Sequence, residues 1–181
     1  MAELGYFDSQ RVELIDGEIL VMAPQNAPHS STLTDLTQIF AEALPRKNGW
    51  AVRVQMPLCV SEDSDPEPDL AIVERRPAKG VWKKRSGFGG HPYTANLVIE
   101  VADSSTSRDR KKIGLYASAA IPEYWIVDVA KKQVTVYTEP VRASEKEFGA
   151  DYKRRRVVGM DGEIQPVALP MGAVAVEQFF I

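Results

Sequence analysis

The chain has 181 residues, 44% hydrophobic and 26% charged, with a formal net charge of −3, a composition that suits one globular domain with a sizeable core. The acidic balance excludes a protein that coats nucleic acid non-specifically, which needs Lys and Arg over much of the surface, but it leaves room for a local basic groove. A single cysteine, Cys59, excludes an intramolecular disulfide and a cysteine metal site and reads as a small buried hydrophobe.

The N-terminal stretch MAELGYFDSQ lacks a charged n-region followed by an apolar one, so it does not read as a signal peptide. No apolar run approaches the roughly 20 residues of a membrane helix. The expectation is a soluble, cytoplasmic protein. In chain order, 12-VELIDGEILVM-22 reads as two short strands around Asp16-Gly17, a strong two-residue hairpin signal. Pro24 and Pro28 punctuate a loop. From about His29 to Ala43, apolar residues recur at spacings of three and four, which predicts an amphipathic helix with Pro28, Ser30 or Ser31 near its start. Residues 50–60 predict a strand interrupted near Pro57. The acidic turn 61-SEDSDPEPD-69 leads into 70-LAIVE-74, an apolar run suited to a strand covered on both sides.

Residues 75–96, rich in Gly, Lys and Arg, read as a loop. After it come the strand 97-LVIEVA-102, a polar turn, and a helix from about Asp109 to Ala119 that Pro122 brings to an end. Strands at 124–129 and 134–139 follow. Residues 140–163 are strongly charged and suit a further hairpin, and the C-terminal segment is apolar enough to pack back onto the core. The order predicts a mixed α/β or α+β domain, a central sheet flanked by helices with an N-terminal β-hairpin.

Three charged residues stand out. Asp69 immediately precedes an apolar strand. Glu100 sits inside the next long strand, where alternation puts it on one face with Val98 and Ala102, opposite Leu97, Ile99 and Val101. Lys112 opens the following helix, four residues before Tyr116 and on its face. Hard divalent cations take oxygen ligands, usually one or two protein carboxylates with water and phosphate completing the shell. Asp69 and Glu100 on neighbouring strand ends can supply those, and a nearby Lys can orient or help deprotonate the attacking water, or stabilise charge on the phosphate. Each residue also has a plainer reading: a turn aspartate, a glutamate on a wet sheet face, and a solvated lysine beside Arg108, Arg110 and Lys111.

The segments VELIDGEILVM, PEPDLAIV and LVIEVADSSTSRDRKKIGLYASAAIPEYWIVD together resemble the Uma-type restriction-endonuclease-like family of the PD-(D/E)XK nuclease superfamily. The resemblance spans about residues 11–139, with the last segment the most specific. It implies a restriction-endonuclease-like core over about 11–139 of a single domain 1–181, with 140–181 as an extension packed on it. It also implies a Mg²⁺-dependent endonuclease (Mn²⁺ as substitute) acting on DNA as a homodimer, by metal-activated water. Asp69 matches the Asp of the PD motif and Glu100 the acidic residue of (D/E)XK. No Lys stands two residues after Glu100, so the lysine role passes to Lys112, with Lys111 the neighbouring choice. Tyr116, Glu18 in the hairpin, and His29 at the first helix start are further site candidates, and Glu42 lies at that helix's far end. Ala120 stands where the family has Gly after the helix. In the basic loop, Arg75, Arg76, Lys83, Lys84 and Arg85, with Trp82 and Phe88 interleaved, suit contact with a phosphate backbone. The alternative from a different class is a catalytically inactive module of the same fold that binds nucleic acid or protein.

Overall fold

The computed structural model describes residues 10–75, 92, 94–102 and 106–180, with backbone alone for 106–110. Strands β1 (Val12–Ile15) and β2 (Glu18–Val21) pair antiparallel. The two turn residues between them, Asp16 at φ 52° and Gly17 at φ 78°, are both left-handed, as a tight hairpin with right-handed strand twist requires. Helix α1 (Ala27–Ala43) begins two residues before the periodicity predicts. Asn26 caps it, its side chain accepting the His29 N–H at 3.0 Å, and Pro28 is harmless in a first turn whose N–H groups lack helical partners.

A short 3₁₀ turn, Arg46–Asn48, ends in Gly49 at φ 90° and feeds β3 (Trp50–Val54). The strand predicted to reach residue 60 stops at Val54, because Gln55 takes a left-handed conformation at φ 50° that turns the chain out of the sheet. Strands β4 (Leu70–Glu74) and β5 (Leu97–Ala102) follow, and then helix α2 (Thr106–Ser118), which starts earlier than predicted. Strands β6 (Glu123–Asp128), β7 (Gln133–Arg142) and β8 (Ala150–Gly159) complete a sheet in the order β3-β4-β5-β6-β7-β8. Its pairs are antiparallel except β5–β6, which α2 connects in parallel. The hairpin expected within 140–163 is the β7–β8 pair, with β7 running through residues 139–140. Two short strands, β9 (Glu163–Ile164) and β10 (Val174–Ala175), form a separate antiparallel pair. No helix among the described residues is long and apolar enough to cross a membrane.

Both faces of the sheet are covered. On one, Leu33, Leu36 and Phe40 of α1 pack with Leu97, Ile99, Val101, Trp125 and Val127, and the C-terminal residues Leu169, Val176 and Phe179 close the same cluster. On the other, Tyr116, Ala117 and Ile121 pack with Val98, Ala102, Tyr124 and Ile126. Alternation therefore assigns Glu100 to the α2 face as the sequence predicts, but that face is not wet. Every residue of β5 is buried, and Glu100 is 4% exposed. The plainer reading of Glu100 as an exposed carboxylate is overturned.

Candidate active site

The pairing of β4 with β5, Leu70 opposite Ile99 and Ala71 opposite Val98, carries Asp69 to a place opposite Glu100. Each residue bonds the other's strand. The Asp69 N–H donates to Glu100 Oε2 at 3.4 Å, and the Val101 N–H donates to Asp69 Oδ2 at 2.9 Å. Two carboxylates from adjacent strands thus meet on one face, 7% and 4% exposed.

Helix α2 supplies the cation. Lys112 Nζ donates to Glu100 Oε1 at 2.9 Å and reaches Glu13 Oε2 at 2.8 Å. Tyr116, one turn further along the same helix face, donates its O–H to Glu100 Oε1 at 2.9 Å. The burial of Lys112 works against its charge, but the Glu100 and Glu13 carboxylates outweigh that effect and hold its pKa above the usual lysine value. Burial, then the negative charge of Glu100, pushes the Tyr116 phenol well up, so it stays a neutral donor.

Asp69 is held from the other side. His29 Nε2 lies 3.1 Å from its Oδ2, and the amides of Gln55 and Gln25 approach Oδ1 at 3.3 and 3.5 Å. His29 is carried there by the first turn of α1, so the Asn26 cap that sets the helix start also sets this contact. The second ring nitrogen of His29 is buried with no hydrogen-bond partner. Among the described residues, the carboxylates of Glu13, Asp69 and Glu100 gather around the ammonium of Lys112, with His29 against Asp69. Carboxylate oxygens are the ligands that a hard divalent cation takes. The described residues hold no group of three or more His, Cys, Asp or Glu side chains arranged to hold a metal ion.

The remaining candidates lie elsewhere. Glu18 is exposed beside the hairpin turn, Lys111 is exposed next to the buried Lys112, and Glu42 is exposed at the far end of α1. Arg75 is exposed and lines a cleft of about 580 Å³ with Arg46, Lys47, Trp50 and Glu74, at the opposite end of β3 and β4 from Asp69. Arg76, Lys83, Lys84 and Arg85, with Trp82 and Phe88, lie outside the described residues. Glu13, Gln25 and Gln55 were not among the candidates. Glu13 and Glu18 share one face of the hairpin, opposite Leu20 and Ile15 respectively. Only distance from the turn separates the buried carboxylate from the exposed one, and the local pattern carries no signal of that.

A mixed sheet in this order, with acidic residues meeting at the start of β4 and within β5 and with helices on both faces, is a restriction-endonuclease-like fold. The chain belongs to the Uma2 family: the family model described as "Uma2: Putative restriction endonuclease" matches residues 4–173. Among solved structures, one described as "a putative nuclease belonging to DUF820" from Anabaena variabilis ATCC 29413 is similar with a TM-score of 0.73 at 13% sequence identity. The match covers 94% of this chain and 90% of that one, and at that identity it speaks to the fold. No curated protein matches the sequence.

Proposed function

We propose that the protein is a Mg²⁺-dependent endonuclease that hydrolyses phosphodiester bonds in DNA. One observation carries this reading: Asp69 and Glu100 face each other from adjacent strands while Lys112, held protonated between Glu100 and Glu13, sits at the same point. Asp69 and Glu100 are the residues that would hold the ion. When bound, it would lower the pKa of a coordinated water and polarise a phosphoryl oxygen.

The chain's own groups do the rest. Lys112, paired with two carboxylates, brings a positive charge that can orient the attacking water or stabilise negative charge on the phosphate. Tyr116 fixes the Glu100 carboxylate, and His29, Gln25 and Gln55 fix Asp69. Rigid support of this kind keeps reactive groups within the narrow geometry that catalysis needs. The basic residues Arg75, Arg76, Lys83, Lys84 and Arg85 would contact the backbone. Cutting both strands of a duplex calls for two such sites, hence a homodimer, and the lone Cys59 suits the reducing cytoplasm.

The test is incubation of supercoiled plasmid with Mg²⁺ or Mn²⁺, beside the Asp69→Ala/Glu100→Ala variant. Nicking by the wild type alone, together with a metal-dependent rise in melting temperature that the variant lacks, supports the reading. A metal response identical in both proteins removes the proposed ion from these carboxylates. Activity on RNA or branched DNA with duplex DNA untouched would change the substrate but keep the site.

A further inference from the structure

β3 is the edge strand beside Asp69, and its register decides which side chains stand next to the carboxylates. Arg53 lies opposite Ala71, two residues along β4 from Asp69. Ala51, which shares the alternation of Arg53, packs with the cluster of Val73, Val98 and Ala102 on the Glu100 face. Arg53 is therefore a diagonal cross-strand neighbour of Asp69 on the same face, a relation that puts backbone positions about 7–8 Å apart, well within the reach of an arginine side chain.

This guanidinium is poorly matched to its surroundings. It is half-buried, and Nη2 donates to the Pro57 carbonyl at 3.1 Å. Nε is buried with no acceptor, and Arg53 forms no ion pair among the described residues. Burial lowers its pKa from the usual arginine value, the mark of a cation held without a counter-ion. The other cation of this face, Lys112, has two carboxylate partners, so the contrast is internal to the site. A desolvated guanidinium left with free N–H donors is a fork suited to two oxygens of a carboxylate or phosphate.

We infer that Arg53 binds a nonbridging oxygen of the nucleic-acid backbone phosphate seated against Asp69 and Glu100. The substrate then supplies the counter-ion that the fold omits. This rests on the nuclease reading above, and it adds a substrate contact to it. It also predicts a conflict between stability and activity, because a half-buried cation without an ion pair, with one buried donor unsatisfied, destabilises the free protein. A merely structural arginine, one that ties β3 to the Pro57 loop, would couple the two in the same direction.

The experiment uses the full chain as wild type, Arg53→Met and Arg53→Lys. Nicking of supercoiled plasmid with Mn²⁺ gives rates, anisotropy of a fluorescein-labelled DNA duplex with Ca²⁺ gives binding against salt, and thermal melting gives stability. Arg53→Met is expected to melt at or above the wild-type temperature yet cleave roughly 100- to 1,000-fold more slowly, the range typical of losing one positioned donor to a reacting group. Its plot of log affinity against log salt is expected to be shallower by about 0.9, the value for one phosphate contact on duplex DNA. Arg53→Lys is expected to recover the salt slope but only part of the rate, because it keeps the charge and loses the fork. An Arg53→Met protein that cleaves within twofold of the wild type overturns the inference, as does one that loses melting temperature and activity together. If the wild type neither cuts nor binds nucleic acid, the nuclease reading falls first and takes this contact with it. That outcome is visible before any variant is made.

Discussion

Two buried glutamates on opposite faces of the sheet illustrate two uses of a carboxylate. Glu123 begins β6 on the α1 face and is 0% exposed. It takes only neutral donors: Trp125 Nε1–H and the Val167 N–H at 2.8 Å each, and the Ala168 N–H at 3.3 Å. Burial pushes its pKa up, against the opposing pull of those three bonds. Glu100 on the α2 face has an ammonium and a phenol on one oxygen, and a second carboxylate, Asp69, opposite. Glu123 is a structural tie that fastens the C-terminal segment to the sheet. Glu100 belongs to a cluster of charged and polar side chains, with Lys112 and Tyr116 on one oxygen and Asp69 opposite. Depth of burial does not separate the two roles, but the partners do.

The largest expected effect comes from removing the cation that distinguishes the two faces. Lys112→Met leaves Glu13 and Glu100 buried against each other, and breaking a buried ion pair from one side typically costs about 3–5 kcal/mol. Leu36→Ala, in the apolar α1 cluster, is expected to cost about 2–5 kcal/mol by cavity formation alone. Urea unfolding should find the two losses similar in size, while plasmid nicking at a temperature where both stay folded should be lost only in Lys112→Met. The Lys112 pKa is raised, so its contribution is fully present below the ordinary lysine value of about 10.4 and is lost as pH rises through the higher folded value. Lys112 itself therefore adds no pH dependence between about pH 6 and 9. The two glutamates left together in Lys112→Met gain raised pKa values, so the cost of the variant should shrink as pH falls and they take up a proton. A cost that grew as pH fell would mean that Lys112 is not the cation these carboxylates hold.

Glu123→Gln sharpens the comparison from the other face. Its amide turns a donor toward N–H groups that now meet a carboxylate, and an unsatisfied buried group costs about 1–3 kcal/mol. The sign of the pH dependence differs from that at Lys112. A carboxyl whose folded pKa is raised favours the folded state most at or below the ordinary glutamate value of about 4.3, and that contribution falls as pH rises through the folded value. Wild type and Glu123→Gln should thus differ most near pH 4 and converge as pH increases, with nicking activity unchanged once both are folded. If Glu123→Gln abolished nicking in a protein of wild-type stability, the division of roles between the two faces would be wrong.

How much of this was legible in the sequence depended on whether the deciding contact was local. The bounds of β4 and β5 follow from apolar runs that both faces of the sheet cover, and the hairpin follows from Asp16-Gly17. Helix α1 starts two residues ahead of the apolar periodicity because one side-chain cap at Asn26 sets its first turn. The end of β3 was missed because the left-handed backbone at Gln55 has no glycine to announce it. Lys112 stands out by its place in the helix and its spacing to Tyr116, and the family resemblance assigns it the lysine role. Its second partner, Glu13, lies almost a hundred positions away, in a hairpin that pairs with no strand of the main sheet, and no local pattern links them. Glu123 was passed over for the same reason, since its partners in the C-terminal segment meet it only through tertiary packing.

The smallest expected effect lies at the end of the helix that carries Lys112, where Ala120 occupies a turn that favours Gly. Ala120 is in the left-handed region at φ 54°. Its N–H bonds the Ala117 carbonyl at 2.9 Å, and the Ile121 N–H bonds the Tyr116 carbonyl at 3.1 Å, the paired bonds of a helix end that normally uses Gly. An L-residue there carries about 1–2 kcal/mol of steric cost, which Gly removes. Gly also loosens the unfolded chain, which takes back about 0.4–1 kcal/mol. The side chain is exposed and loses no packing. The balance favours Ala120→Gly by about 0.5–1 kcal/mol, a rise of about 1–4 °C in melting temperature for a domain of this size. Because Tyr116, whose carbonyl closes this helix end, also holds Glu100, nicking by Ala120→Gly tests whether the strained turn matters to the site. An unchanged rate with a higher melting temperature assigns the strain to the fold alone. A rate that falls as stability rises would tie the helix end to the positioning of Glu100.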